Sequence, residues 1–97
     1  MVLEVAIIEI TPGSEEEFAV AYAKAYPLLA ASEGCRNIRM TRGVESPSRF
    51  VLLVEWDSIE AHQANFRDTD RFPQWRGLIG PYFASPPLVE HYLDVPA

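Results

Sequence analysis

The stretch RFVLLVEWDSIEAHQANF, residues 49–66, decides how the rest of this chain is read. Its first half is an apolar run with Phe50, Leu52, Val54 and Trp56 on one face and Val51 and Leu53 on the other. A strand that is apolar on both faces expects cover on both. Its second half starts a helix: Asp57 and Glu60 have the spacing of a capping box, and Ile59, His62 and Phe66 follow at i, i+3 and i+7. The strand thus feeds a helix whose inward stripe carries one imidazole, His62.

Upstream, CRNIRMTRGVESPSRFVLLVEW holds two extended segments around a turn at Ser46 and Pro47, an antiparallel hairpin. Val2 to Ile10 is rich in Val and Ile and stops at TPG, a strand followed by a turn. Between them lies a helix opened by Ser14 and Glu17 as a second capping box, with Phe18, Tyr22, Ala25 and Leu29 at helical spacing and Gly34 beyond its end. Pro27 is expected to kink it or end its regular part. Downstream, Asp70 precedes a short helix that tolerates Pro73 in its first turn and buries Phe72, Trp75 and Ile79. The final LVEHYLDV alternates, with Val89, His91, Leu93 and Val95 on one face, and reads as a closing strand.

The order strand, helix, strand, strand, helix, strand predicts an α+β fold: a ferredoxin-like split βαβ arrangement with a four-stranded antiparallel sheet and helices on one side. One domain spans residues 1–97. Because helices cover only one sheet face, Val51 and Leu53 call for a second copy, and a homodimer is expected.

Composition narrows the function. The chain carries a formal net charge of −6 over 97 residues and no Lys/Arg-rich run, which argues against a nucleic-acid partner. No apolar run is long enough to span a bilayer, and MVLEVAIIEI has no basic n-region, so no membrane partner and a cytoplasmic location are expected. Cys35 is the only cysteine; it predicts a reducing compartment and a small packed side chain rather than a nucleophile. PGSEEEF matches no phosphate loop, and Glu15, Glu16 and Glu17 suit a solvated first turn. The two histidines are not paired at i+4, so no metal site is read from the sequence.

The chemistry rests on a few side chains. An inward imidazole at His62 must be hydrogen-bonded or sit at a cavity, where a pKa near neutrality suits a general base; the competing reading is a satisfied core histidine. His91 faces inward or toward a partner sheet, depending on register. Trp56 and Trp75 are core aromatics or the wall of a pocket for a flat ring, with Phe66 beside them. Arg76 stabilises an anion at a pocket mouth or lies on the surface.

A strand ending in VEW, then DSIEAHQANFRDTDRFPQW, then VEHYLDV, together with PGSEEEF and SEGC, resembles the antibiotic biosynthesis monooxygenase domain, a dimeric α/β barrel family. The resemblance implies a cofactor-independent monooxygenase: a quinol-type or polycyclic aromatic is deprotonated in an apolar cavity, and its anion reacts with dioxygen without flavin or metal. It also implies that Trp56 is the shared tryptophan and Arg76 the pocket arginine, while Leu52 replaces a polar amide and His62 a tyrosine. The haem-degrading branch would need an asparagine, a tryptophan and an iron-ligating histidine where this chain has Ala6, Trp56 and Arg76 or its neighbours, so no haem is implied. The expected site thus has His62 and Arg76 as catalytic residues and Trp56, Phe66, Trp75 and His91 against the substrate. It uses no cofactor. The alternative is a non-catalytic dimeric barrel that binds a small apolar ligand.

Overall fold

The computed structural model describes residues 1–97. Strand β1 (Val2–Glu9) leads into helix α1 (Glu15–Ala30), then the hairpin β2 (Cys35–Arg42) and β3 (Arg49–Trp56). Helix α2 (Ile59–His62) runs into a π turn (Gln63–Arg67), followed by α3 (Arg71–Ile79), a 3-10 turn (Gly80–Tyr82) and β4 (Leu88–Tyr92). The strands order as β2-β3-β1-β4, with every neighbour antiparallel. β3 is inserted between β1 and β2, which is what splits the βαβ unit, and the ferredoxin-like α+β plan follows.

One continuous core lies between sheet and helices. Ala6, Ile8 and Ile10 from β1 and its end, and Phe50, Leu52, Val54 and Trp56 from β3, meet Phe18, Ala21, Ala25 and Leu29 of α1, with Phe66, Trp75 and Ile79 completing it. The other sheet face has no helix over it. Leu3, Val5, Ile7, Val51 and Leu53 remain half-buried there.

Local details correct several expectations. The helix after β3 is capped by Ser58, whose Oγ accepts the Ala61 N–H at 3.0 Å. Asp57 is drawn away instead by Arg36 of β2, which holds it bidentately at 2.8 and 2.7 Å. At α1 the Ser14 side chain caps nothing; Glu15 accepts the Gly13 N–H and the Ser48 hydroxyl, so the acidic first turn ties to the β2–β3 turn. Asp70 likewise makes no side-chain cap, and Thr69 Oγ1 accepts the Arg71 N–H. α1 continues through Pro27 to Ala30; the carbonyl this deprives, that of Ala23, sits on the exposed side of the helix. Gly34, with φ +87°, turns the chain into β2 where an added Cβ would stand 2.9 Å from the Ala61 Cβ. Ile59 is 49% exposed rather than on the inward stripe. β4 stops at Tyr92, leaving Leu93 and Val95 73% and 91% exposed beyond it.

Candidate functional site

A cavity of about 360 Å³ opens between the inner sheet face and the helices. Its floor is β1 and β3, through Glu4, Ala6, Ile8 and Leu52; its roof is Leu29 of α1 with Phe72, Trp75 and Ile79 of α3. Phe83, Pro87, Leu88 and Val89 close the β4 side. Space exists here because the inward residue of β1 between Glu4 and Ile8 is an alanine, paired with Leu52 on one side and Val89 on the other. Neither neighbour fills what a larger side chain would occupy.

The π turn shapes the polar end. His62, at the end of α2, and Phe66, within the turn, both face inward as residues four apart on a helix do, with their rings 6.4 Å apart and nearly parallel; π turns recur at functional sites. His62 is 3% exposed. Its ring stacks on Trp56 at 4.7 Å and 16°. Its Nδ1 shares a hydrogen bond of 2.8 Å with His91 Nε2, and its Nε2 lies 3.4 Å from Glu4 Oε1. The same Oε1 accepts the Trp56 indole N–H at 2.9 Å. Register explains the convergence: Glu4 is opposite His91 on β4 and Val2 is opposite Trp56 on β3, so three strands and one helix deliver their polar atoms to one point.

Burial sets the charges. Desolvation pushes the Glu4 carboxyl up from its ordinary range, partly offset by the Trp56 hydrogen bond and the positive Arg67. His62 is lowered to about 4, first by burial and then by His91 and Arg67, so the imidazole is neutral at physiological pH. The expectation of a near-neutral pKa is thereby corrected: a ring packed between Trp56 and Phe66 cannot hydrate its charged form. Two arginines complete the lining. Arg67 lies over Phe72 at 4.9 Å and Arg76 over Phe83 at 5.3 Å, both largely exposed and therefore at the cavity's opening. Cys35 stands outside this cavity, its thiol pushed up to about 11 by burial and by Glu4.

Of the residues read from the sequence, His62, Phe66, Trp75 and Arg76 line the cavity together. Trp56 and His91 stand behind that wall, touching His62 rather than the open space. His91 faces inward, which settles its register. Glu4 and Arg67 were not singled out. Glu4 carried a legible signal, an acidic residue in phase with Ala6, Ile8 and Ile10 on an otherwise apolar strand face. Arg67 carried none. No three His, Cys, Asp or Glu side chains converge in metal-binding geometry.

The model of the antibiotic biosynthesis monooxygenase family matches residues 1–77. Over 95 residues the chain is 33% identical to the uncharacterized protein YczJ of Bacillus subtilis (strain 168), covering 98% of this chain and 100% of that one. A crystal structure from Bordetella bronchiseptica, provisionally designated an antibiotic biosynthesis monooxygenase, is 37% identical with a TM-score of 0.92, covering 97% of this chain and 96% of the other. SnoaB, a cofactor-independent oxygenase from Streptomyces nogalater, superposes with a TM-score of 0.84 over 99% of this chain and 94% of its own at 14% identity, a likeness of fold.

Proposed function

Since the chain belongs to the antibiotic biosynthesis monooxygenase family, we propose that it is a cofactor-independent monooxygenase acting on a quinol-type or polycyclic aromatic. One observation carries the reading: a single mostly apolar cavity of about 360 Å³ has a buried proton-accepting end, His62 with Glu4, and a cationic opening, Arg67 and Arg76. That volume lies within the range of small-molecule sites. A flat ring slides between Phe66, Phe72 and Trp75, and a phenolic hydroxyl reaches the polar end. Loss of its proton yields an electron-rich anion, which the arginines stabilise. The anion reacts with dioxygen: one oxygen atom enters the ring as a quinone carbonyl, and the other leaves as water with the one hydrogen of the oxidised ring carbon and the proton taken from the hydroxyl. Trp56 and His91 hold His62 in place, by stacking and by hydrogen bond.

The reading includes a homodimer joined through the uncovered sheet face and a cytoplasmic location, the latter supported by the solitary Cys35. The alternative, a barrel that binds an apolar ligand without turning it over, draws on Leu52, which sits in the cavity floor where the resemblance leads one to expect an amide.

Oxygen uptake with a panel of acidic quinols, under labelled dioxygen, tests the proposal. Uptake with one labelled atom in the quinone is expected, and His62→Ala and Arg76→Ala should each lower kcat/KM by roughly tenfold to a thousandfold. Tight binding of the quinols with uptake no faster than in buffer would leave the binding barrel instead.

A further inference from the structure

The proton has to go to one atom, and the residues at the polar end are not equally free to take it. His62 has Nδ1 hydrogen-bonded to His91 at 2.8 Å, and its Nε2 faces Glu4 Oε1 at 3.4 Å without forming a hydrogen bond. Glu4 has one oxygen engaged, because Oε1 accepts the Trp56 indole N–H and is the oxygen that His62 Nε2 faces. Its Oε2 has no partner in the protein. Every fully sealed polar side-chain atom in this molecule has one, and Glu4 lines the cavity while being only 5% exposed. The free oxygen is therefore the one that opens into the cavity.

Resting on the oxygenase reading above, we propose that Glu4 is the general base of this site: its Oε2 takes the proton of the bound phenolic hydroxyl. The substrate O–H bond breaks, its electron pair stays on the substrate oxygen, and the new O–H bond forms on Glu4. No electron moves in this step. Before it, a buried carboxylate is only partly compensated, by the Trp56 N–H and Arg67; after it, the carboxyl is neutral and the negative charge lies on a ring that delocalises it toward Arg67 and Arg76. The exchange relieves a desolvated charge. The groups facing Glu4 are His62 from α2, His91 from β4, Arg67 from the π turn and Cys35 from β2. Among them Arg67 alone is a fixed charge, and burial outweighs it.

A purely structural role for Glu4, as acceptor for the Trp56 indole, is met equally well by an amide oxygen. Glu4→Gln therefore separates the two. The probe is a nitrophenol, whose phenol and phenolate differ in colour, bound at a pH below its own pKa. The wild-type protein should hold it as phenolate without releasing a proton to weakly buffered solution. Glu4→Gln should hold it as the neutral phenol, and should lower turnover of an acidic quinol by roughly 10²–10⁴-fold. A measurement on the wild type alone guards against a variant that fails to fold: infrared difference spectra on probe binding should show a protonated carboxyl band that shifts when glutamate is carbon-13 labelled. Ionisation of the probe by Glu4→Gln as in the wild type overturns the inference. So does a wild-type cavity that takes up no probe or only the neutral form, or the absence of the labelled band. Ionisation by the wild type and not by Glu4→Gln, with no oxygen uptake from any quinol, would leave Glu4 as the base and remove the oxygenase reading.

Discussion

At the scale of single residues, His62 shows how burial converts a titratable side chain into a neutral one. Its folded pKa of about 4 lies below the ordinary 6.5, so between those values the unfolded chain binds a proton that the folded protein refuses. Stability is therefore present above pH 6.5 and lost as pH falls toward 4, by an amount on the order of 3 kcal/mol. Glu4 works in the opposite sense. Its folded pKa is raised, so its contribution is full at low pH and declines as pH rises above 4.5 through the folded value. Thermal melts from pH 7 down to pH 4 should show the melting temperature falling, and His62→Gln should flatten that slope. A slope in His62→Gln equal to that of the wild type would show that His62 titrates like a solvated imidazole.

The elements are joined by side chains whose partners lie in other elements. Arg71, at the start of α3, donates to the Leu28 carbonyl and the Ser32 hydroxyl at the end of α1 and to the Asn65 carbonyl in the π turn. It ties down the helix terminus and the segment that presents His62 and Phe66. Arg71→Ala should cost about 2 kcal/mol, since hydrogen bonds from a charged donor are among the stronger ones, and lower the melting temperature by roughly 10 °C. The start of α2 offers a paired test. Ser58→Ala should cost about 1 kcal/mol as a lost cap. Asp57→Ala, which breaks only the exposed ion pair with Arg36, should cost less than the lost cap. Chemical denaturation of the two variants side by side reads the difference, and the reverse ranking would return the cap to Asp57.

For the whole molecule, the decisive feature is a sheet with helices on one face only. Leu3, Val5, Ile7, Val51 and Leu53 form an apolar surface on the other, edged by exposed Leu88 and Tyr92. A surface of this kind favours association with its own copy. Sedimentation should find a dimer, and Leu53→Glu should yield monomer or aggregate; a stable wild-type monomer would refute the expectation drawn from β3. The cofactor-free reading is tested on the same preparation. The purified protein should show no flavin or haem absorbance, whereas a Soret band that saturates with added haem would point to the haem-degrading branch.

What the sequence determined by itself was the set of elements and the faces they bury, because alternation in β1 and β3 and helical spacing in α1 and α3 are local patterns that any compact fold must respect. It also placed His62, Phe66, Trp75 and Arg76, each on an element whose inward stripe or end could be counted. The cap at Ser58 escaped because Arg36, 21 residues away, competes for Asp57; residue preference alone does not see such a competitor. The site's polar centre escaped for the same reason on a larger scale. Glu4, Trp56, His62 and His91 meet only once β1 pairs with β3 and β4 in one register, and a slip of one residue would turn Glu4 to the opposite sheet face. Tertiary structure alone therefore decided which oxygen faces the cavity, because register and burial, not residue type, fix where a carboxylate's free lone pairs point.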